Sequence, residues 1–423
     1  MRLKDVTEFC PAYTGAARND DVAFVPMEAL RYDSIAQQEI PFEEARGKYT
    51  FFADGDLLFA KVTPCFENGN IAVATNLKGG IGFGSSEIFV LRAKPGLNNR
   101  YLFYVVQASP FMDGGCATMC GVGGLKRMSP LFPRTFEWEI PSEESQRKLV
   151  AYLDEKSAAI DARVAVLEKK LAAYKRLKTS IINRAVTRGL DPKAKLKDSG
   201  VEWIGKVPEG WEVMHLKRLA VIRTGNSPAK FEGSPYYSDE EGIPWIKADD
   251  LGTGCAISET AEYITKEGAA LARIMKPRST YVCCIASVGK CGFSEITCCC
   301  NQQINALEYG KSMDWRYGYY ATLNASPLYK AFANVNVLPI LNTSRQGQIP
   351  YPCPPLSEQR AIADYLDAEC AKIDKMAELV MREIELYKKL KRSLINEVMT
   401  GKRPVFADKP LRRGKEVSKC GIL

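Results

Sequence analysis

The sequence predicts an α+β protein in which two mixed, strand-dominated domains are separated by a pair of long antiparallel coiled-coil helices with pseudo-twofold symmetry. Three features predict this class: an internal repeat, a long stripe of apolar residues in each copy, and short strand-like runs elsewhere. The chain has 423 residues, 46% of them hydrophobic and 26% charged. This length and composition are typical of a soluble protein with two or more cores.

The repeat becomes visible when the chain is shifted by 213 residues. Residues 146–187 then align with residues 359–400 without a gap, and 16 of the 42 pairs are identical. The stretch YLFYVVQASP at Tyr101 also resembles YGYYATLNASP at Tyr317, and similarity fades between these anchors. The chain therefore consists of two copies of one unit, each with a variable globular part followed by a preserved helix.

The preserved segments have apolar residues at spacings of three, four and seven, which predicts a helix with a coiled-coil seam. Pro141 and Pro355 precede the segments, and Gly189 and Gly401 follow them as stop signals. The predicted seam residues are Leu153, Ile160, Leu167, Leu171, Tyr174, Leu177 and Ile181 in the first copy, and Leu366, Ile373, Val380, Ile384, Tyr387, Leu390 and Leu394 in the second.

The connectivity predicts that the two helices run antiparallel. The first helix carries the chain roughly 60 Å from the first globular part, so the second must run back to bury its stripe against the first. The alternative is that each helix packs on its own globular domain.

The globular parts contain short aromatic and β-branched runs such as DLLFAKV, EIFVLRA and STYVCCIASVG, which favour strands. The predicted organisation is a first domain at 1–140, helix one at 141–189, a polar linker at 190–207, a second domain at 208–355, helix two at 356–400 and a basic tail at 401–423.

The formal net charge is +8, and the basic residues are concentrated locally. Residues 146–188 contain eleven Lys and Arg against four Asp and Glu, and the tail after Thr400 contains seven against two. A solvated helix face with a polar tail would explain this excess, as would attraction to nucleic-acid phosphates.

Motifs for catalysis or metal binding are missing from the sequence. It has no G-x4-G-K-[ST] loop and no G-x-G-x-x-G before a helix, and His215 is its only histidine. Asp54, Asp56 and Glu67 could be imagined as a nuclease cluster, but they fall in predicted loops. We therefore expect a noncatalytic chain with no metal site.

The fourteen cysteines include a dense group in VCCIASVGKCGFSEITCCCN, namely Cys283, Cys284, Cys291, Cys298, Cys299 and Cys300. No C-x2-C pair occurs, so buried strand thiols are favoured over metal or redox chemistry. The sequence contains no run of 18 apolar residues, and its first residues lack a signal-peptide pattern. We expect a cytoplasmic location with no membrane association.

Several segments together resemble the specificity subunit of type I restriction-modification systems. They are LKDSGVEWIGKVPEGWEVMHLKRL from Leu196, PPLSEQRAIADYLD from Pro354, GIPWIKADDL from Gly242, CNQQINAL from Cys300, and the GDLLFAKV and SSEIFVLR pair in the first half. The resemblance covers essentially the whole chain. It implies that each globular part is a target recognition domain reading one half of a split site in double-stranded DNA.

The same resemblance implies partners and cofactors. Two methyltransferase subunits would dock on the helices and methylate adenine, and motor-nuclease restriction subunits could join them. No cofactor is expected in this chain, whereas S-adenosylmethionine, ATP and Mg²⁺ are expected in the partner subunits. The main alternative is a coiled-coil adaptor without DNA specificity, which would lack salt-sensitive DNA binding.

Loop residues that can donate to bases or hold phosphates are the DNA-binding candidates. They are Lys61, Thr63, Asn68, Asn70, Ser85, Ser86, Lys126 and Arg127 in the first domain, and Lys247, Ser287, Lys290, Asn301, Gln302, Gln303, Thr343, Ser344 and Arg345 in the second. Many such residues instead satisfy turns locally.

Two features depart from the family pattern. The first copy has PSEESQRKLVAYLD where the family usually shows a PPLxEQ-like stretch, so Glu144, Ser145 and Gln146 are expected to cap that helix differently. The chain also starts at MRLKDV without the PEGWEV lead that precedes Met214, which leaves open a shortened amino terminus or a different start codon.

Overall fold

The computed structural model of the protein describes residues 1–16, 20–122, 124–252, 254, 256–335 and 339–405, except for the side chains of residues 334 and 335. The chain divides into two compact units, the first comprising Met1–Glu168 with Arg382–Leu423 and the second Lys169–Met381. Each unit includes one part of both long helices, so the units cross the predicted domain boundaries, which stay predictions. The predicted basic tail lies outside the described residues from position 406 onward.

The first unit contains ten short strands and five short helices among its described residues. The strands are β1 (Thr7–Phe9), β2 (Asp21–Val25), β3 (Leu30–Arg31), β4 (Ser34–Ile35), β5 (Gln38–Pro41), β6 (Thr50–Ala53), β7 (Leu57–Ala60), β8 (Ile71–Val73), β9 (Ile81–Gly84) and β10 (Ile88–Ala93). The helices are α1 (Leu3–Val6), α2 (Phe42–Ala45), α3 (Asn99–Gln107), α4 (Ser109–Ala117) and α5 (Leu131–Thr135). The long helix α6 (Glu143–Arg188) begins in this unit.

Two four-stranded sheets organise the first unit. One has the order β1-β10-β7-β8 and is antiparallel throughout. The other has the order β5-β2-β9-β6, and its β2 and β9 are parallel. The strand β7 is buried along its whole length, which explains why LLFA is uniformly apolar rather than alternating.

The second unit continues the chain through fourteen more strands in its described residues. The strands are β11 (Leu196–Asp198), β12 (Lys206–Pro208), β13 (Glu212–His215), β14 (Ala220–Thr224), β15 (Tyr237–Ser238), β16 (Ile243–Ile246), β17 (Tyr263–Ile264), β18 (Ser279–Cys283), β19 (Cys291–Ser294), β20 (Cys299–Cys300), β21 (Ile304–Tyr309), β22 (Asn334–Val335), β23 (Pro339–Ile340) and β24 (Pro350–Cys353). The helices are α7 (Leu216–Leu219), α8 (Lys266–Ala269), α9 (Trp315–Phe332), α10 (Thr343–Gly347) and the long α11 (Leu356–Met399).

The second unit repeats the topology of the first where the two sequences have diverged. Its sheet β14-β21-β18-β19 is antiparallel, as is β1-β10-β7-β8. In β17-β16-β20 an antiparallel pair is followed by a parallel pair, as in β5-β2-β9. The segment predicted as a polar linker contains regular structure and buried apolar residues, because β11 and β12 form a hairpin and Ile204 and Val207 are buried.

The long helices begin and end in the same way. A glycine with φ +73° follows each of them, Gly189 after α6 and Gly401 close after α11, as the stop signals predict. Near the start of α6, the Gln146 side chain accepts from the Asn98 N–H (2.8 Å) and donates to Gly96 O (3.0 Å). Near the start of α11, the Gln359 side chain bonds in the same way to the residues before α9. The expectation of different capping is therefore wrong for Gln146, whereas the Ser145 N–H donates to Ser142 Oγ (3.3 Å) and the equivalent Glu358 N–H donates to Pro355 O (2.9 Å).

The two helices run antiparallel within each unit. In the first, Asp161 and Arg163 of α6 pair with Lys391 (2.6 Å) and Glu383 (3.0 Å) of α11, so the numbers rise on one helix as they fall on the other. In the second, Lys178 Nζ lies 2.6 Å from the Asp374 carboxylate. The Asp161 and Asp374 pairs are equivalent at the 213-residue shift. The predicted α+β class with antiparallel long helices is confirmed.

Most predicted seam residues are buried or half-buried, but two are not. The buried residues are Leu153, Leu167, Leu366, Ile373, Val380, Ile384 and Leu394, and the half-buried ones are Ile160, Leu171, Tyr174, Ile181 and Tyr387. Leu177 and Leu390 are 45% and 50% exposed, so placing them in the seam was wrong. Successive residues of an α-helix are rotated by about 100° around its axis, so the residue after each leucine, Lys178 or Lys391, points more directly at the seam. Each of these lysines forms an ion pair with a carboxylate of the other helix.

The helix ends also pack into the domain cores. In the first unit, Leu153 and Val398 belong to the apolar cluster that contains Phe59 of β7 and Tyr104 of α3. In the second, Val186 and Leu366 belong to the cluster of Trp211 and Tyr317. Helix pairing and packing of each helix on a domain, which we considered as alternatives, therefore coexist.

Candidate nucleic-acid interface

In the first unit, most predicted DNA-binding residues lie on three segments joined by backbone hydrogen bonds, which we call the three-loop cluster. The segments are residues 61–63 after β7, 85–87 before β10, and 120–128. The Lys61 N–H donates to Glu87 O (3.0 Å), the Thr63 N–H to Lys126 O (2.9 Å) and the Met128 N–H to Lys61 O (2.8 Å). These bonds hold Lys61, Thr63 and Lys126 close together.

The second unit contains the same cluster, built from residues 284–287, 301–303 and 339–345. The Cys284 N–H donates to Gln303 O (2.7 Å), the Ala286 N–H to Pro339 O (3.1 Å) and the Leu341 N–H to Cys284 O (2.9 Å). Each bond matches one bond of the first unit. An isolated antiparallel bridge also joins equivalent positions in each, Val62 with Arg127 and Ile285 with Ile340.

The side chains of the first cluster are mostly cationic or hydroxylic. Lys61 Nζ lies 5.2 Å from the centre of the Phe89 ring, and Thr63 Oγ1 donates to Gly124 O (2.9 Å). Arg127 donates charge-assisted hydrogen bonds from Nε and Nη2 to both carboxylate oxygens of Glu87 and thereby lowers the pKa of that carboxyl. Arg127 is therefore paired with Glu87 although its side chain is exposed, and Lys126 is exposed as well.

Ser85, Ser86, Asn68 and Asn70 take different positions. Ser86 is exposed beside Lys61 in a cleft of about 470 Å³, and Ser85 Oγ accepts from the Glu87 N–H (3.2 Å). Asn68 and Asn70 lie in a turn beyond the cluster, where their N–H groups donate to Pro64 O and Cys65 O.

The polar side chains of the second cluster are amides, hydroxyls and one guanidinium, with the amides gathered on the segment 301–303. Gln302 and Gln303 are exposed, and the Asn301 side chain accepts from the Gln303 N–H (3.0 Å). Ser287 is exposed in the first segment. Thr343, Ser344 and Arg345 form the first turn of α10, where Ser344 and Arg345 are exposed.

Lys247 and Lys290 adjoin the second cluster, because the Asn301 N–H donates to Ile246 O (3.2 Å) and the Lys290 N–H to Ser287 O (3.1 Å), but their side chains contact other groups of the protein. Lys247 and Lys230 both pair with Glu262 and together lower the pKa of its carboxyl. Lys290 Nζ donates to Ala248 O (2.7 Å). Their ammonium groups are thus engaged inside the domain.

The sequence reasoning missed three residues at these clusters. Val122 is 90% exposed, and Leu125 is also exposed next to Lys126. Ser227 of the second unit donates through Oγ to the Gln302 side chain. The signal for the first two was GVGGLKR, in which apolar residues stand between glycines in a loop with no helical or strand period.

The imagined carboxylate cluster is not assembled. Asp54 accepts from the Leu77 N–H (3.0 Å), and both oxygens of Asp56 are held by Arg92 (2.7 and 2.8 Å). Within the described residues, no group of three His, Cys, Asp or Glu side chains could hold a metal ion. The same residues include no helix long and apolar enough to cross a membrane.

The six clustered cysteines are buried in the strands and turns of the second unit, as predicted. Burial raises the pKa of the Cys291 and Cys299 thiols to about 12, so the reactive thiolate is scarce near neutral pH. These side chains serve as small apolar groups of the core.

Comparison with known proteins agrees with this architecture. A family model described as the type I restriction modification DNA specificity domain matches residues 208–380. The type I restriction enzyme EcoEI specificity subunit of Escherichia coli is 32% identical over 154 residues, which are 36% of this chain and 26% of that protein. The putative type I restriction enzyme MjaX specificity subunit of Methanocaldococcus jannaschii is 22% identical over 415 residues, 95% of this chain and 92% of that protein.

This chain is therefore similar to type I restriction-modification specificity subunits over nearly its whole length, and its residues 208–380 match their DNA specificity domain.

A solved structure supports the fold of this chain. A chain reported in work on complex assembly and conformational transition of the type I R-M system superposes with a TM-score of 0.69 at 18% identity, covering 94% of this chain and 96% of that one. The chain matches only about a quarter of the length of the EcoEI and EcoAI relatives.

Proposed function

We propose that the protein is the DNA sequence-specificity subunit of a type I restriction-modification complex. Each target recognition domain reads one half of a bipartite DNA site, and the long helices set the distance between the half-sites. The chain directs adenine N6 methylation by methyltransferase subunits and, with motor-nuclease subunits, restriction. S-adenosylmethionine, ATP and Mg²⁺ belong to those partners.

The observation that carries this proposal is the three-loop cluster, which has one backbone scaffold in both units but different side chains. The first presents Lys61, Thr63 and Lys126, and the second presents Gln302 and Gln303. Ammonium and hydroxyl groups suit phosphates and guanine, whereas amides suit adenine. Two such surfaces would read two different half-sites.

Docking of methyltransferase subunits on the helices is supported by exposed apolar residues. The first unit exposes Val166 of α6 with Leu386 and Leu390 of α11, and the second exposes Leu177 of α6 with Leu379 of α11. Apolar side chains exposed at equivalent positions of both copies suit partner helices.

A domain exchange tests whether each target recognition domain recognises one half-site independently of the other. The chain would be expressed with its methyltransferase subunit, and methylated adenines would be mapped by single-molecule sequencing. Replacing residues 1–140 with the first domain of another family member should change one half of the methylated motif only. A change in both halves, or in neither, would contradict the proposal.

The spacing role is tested by inserting seven residues after Leu171 and seven at its equivalent position, after Ile384. Paired insertions lengthen both helices while keeping the seam period. The gap between half-sites should widen while both half-sites stay unchanged. Retention of the original gap would show that the helices do not set it.

Two variants of the first cluster should distinguish residues that contact phosphates from residues that contact bases. Lys126→Ala should lower the slope of log affinity against log salt by about 1 with little change in sequence preference. Val122→Ser should alter the preference at a position of the first half-site, because an apolar group that meets a thymine methyl is lost. Lys169→Ala, on the exposed face of α6, is the matched charge control.

A further inference from the structure

The first unit has a cleft of about 650 Å³ between its domain and the end of α11. We call it the helix-end cleft. Its lining includes Tyr101, Trp138, Ser145, Leu149, Val398 and Met399. The volume lies in the range of sites that take a ligand with a sizeable apolar part.

The equivalent position of the second unit is filled by the chain itself. There Trp211 is only 1% exposed, and it belongs to the same apolar cluster as Val186 and Ile362, the equivalents of Met399 and Leu149. Its indole N–H donates to the Glu358 carboxylate (2.9 Å). Glu358 is the equivalent of Ser145.

A strand accompanies this tryptophan in the second unit. β13 pairs with β24 in four positions, from His215 with Pro350 to Glu212 with Cys353. In the first unit the same ladder consists of the bridge between Arg2 and Glu137 and the bond from the Trp138 N–H to Met1 O (2.9 Å).

The two further positions of the first-unit ladder are Glu139 and Ile140, the equivalents of Pro352 and Cys353. Glu139 lines the helix-end cleft. The backbone edge and the cleft together therefore match the surface that Trp211 and Val213 cover in the second unit. A strand edge of this kind is a template for an added segment.

We propose that the helix-end cleft binds an extended segment of a partner protein, with a tryptophan of that segment in the cleft and its backbone paired as a strand to residues 139–140. All five tryptophans of the chain are accounted for, since Trp138 lines the cleft and the other four lie in the second unit. The undescribed residues include no tryptophan. A second copy could not supply Trp211, because that side chain is buried in its own unit. This proposal is independent of DNA recognition.

The probe is a fluorescein-labelled peptide with the sequence of residues 204–213, IGKVPEGWEV, titrated with the full chain and followed by anisotropy. The peptide stops before the positions that Met1 and Arg2 already pair. We expect saturable binding. A peptide with Trp211→Ala should bind at least about 100-fold more weakly, because the indole supplies most of the buried apolar surface.

A gain-of-function variant tests the site. Ser145→Glu introduces the carboxylate that Glu358 provides in the second unit, and it should tighten peptide binding about tenfold through a charge-assisted hydrogen bond to the indole. Ala151→Glu, exposed farther along α6, adds the same charge outside the cleft and should leave the affinity unchanged.

Hydrogen exchange should show new protection of residues 137–141 on peptide binding. Failure of the full chain to bind the peptide, including failure because residues 406–423 or a second copy fill the cleft, would overturn the proposal. Equal tightening by Ser145→Glu and Ala151→Glu, or protection elsewhere in the chain alone, would overturn it as well.

Discussion

The buried glutamine at the start of each long helix offers a sharp test of the duplicated architecture. The Gln146 side chain makes three hydrogen bonds, with Asn98 N–H (2.8 Å), Gly96 O (3.0 Å) and Pro141 O (2.9 Å), and it is fully buried. Gln146→Leu keeps a similar volume but leaves one donor and two acceptors without this partner.

The expected cost follows from these three groups. Each lost bond contributes about 1 kcal/mol, and a buried polar group left unsatisfied costs about 1–3 kcal/mol. Gln146→Leu should therefore destabilise the first unit by about 3–5 kcal/mol, a large part of the stability of a domain. The equivalent Gln359→Leu should do the same to the second unit.

Hydrogen exchange followed by mass spectrometry on the full chain is the suitable assay, because a chain with two compact units does not unfold in two states. The Asn98 amide should exchange at least about 100-fold faster in Gln146→Leu, while the residues before α9 stay protected. Arg147→Leu removes an exposed polar side chain one residue later and serves as the control. Unchanged protection around Asn98 in Gln146→Leu would refute the reasoning.

Three further predictions concern single side chains. Lys391→Met should destabilise the protein by about 1–2 kcal/mol and lower Tm by a few degrees. Lys178→Met should destabilise it less, because Lys391 is the more buried of the two lysines and also lies 4.2 Å from the centre of the Tyr32 ring. Equal decreases in Tm for the two variants would contradict this. Iodoacetamide at pH 8 should label the exposed Cys116 of the native protein. Cys299 should stay unlabelled until the protein is denatured, because burial raises its pKa to about 12. Rapid labelling of Cys299 in the native protein would show that it is not buried. Because the pKa of Glu262 is lowered, its pairing with the lysines stabilises the fold fully above the ordinary carboxyl pKa of about 4.3, and this stability is lost as the pH falls through the lowered value. Glu262→Gln should remove that loss of stability at acid pH in a fluorescence titration of Trp245. An unchanged titration profile would exclude Glu262 as its cause.

Sequence reasoning found the helices because their signal is local and repeated. Apolar spacing, the glycines at 189 and 401 and the 213-residue repeat each depend on residues close along the chain. Its error at Leu177 and Leu390 arose because strict heptad counting ignores the small drift of a helix with 3.6 residues per turn. That drift turned a lysine toward the seam.

The candidate interface was harder to foresee. Polar loop residues could be named one by one, but the bonds that gather Lys61, Glu87 and Lys126 join positions 26 to 67 residues apart. The ion pair between Arg127 and Glu87 and the exposure of Val122 also depend on how these distant segments pack together.

By itself, the sequence determined that this protein is a duplicated unit with two long amphipathic helices and no recognisable catalytic motif, because periodicity and repetition are properties of the chain alone. Only the tertiary structure decided which lysines enter the seam, which polar side chains face solvent at the three-loop clusters, and that a surface covered by Trp211 in one unit is an open cleft in the other. Those outcomes depend on packing between segments far apart in the chain, which no local pattern encodes.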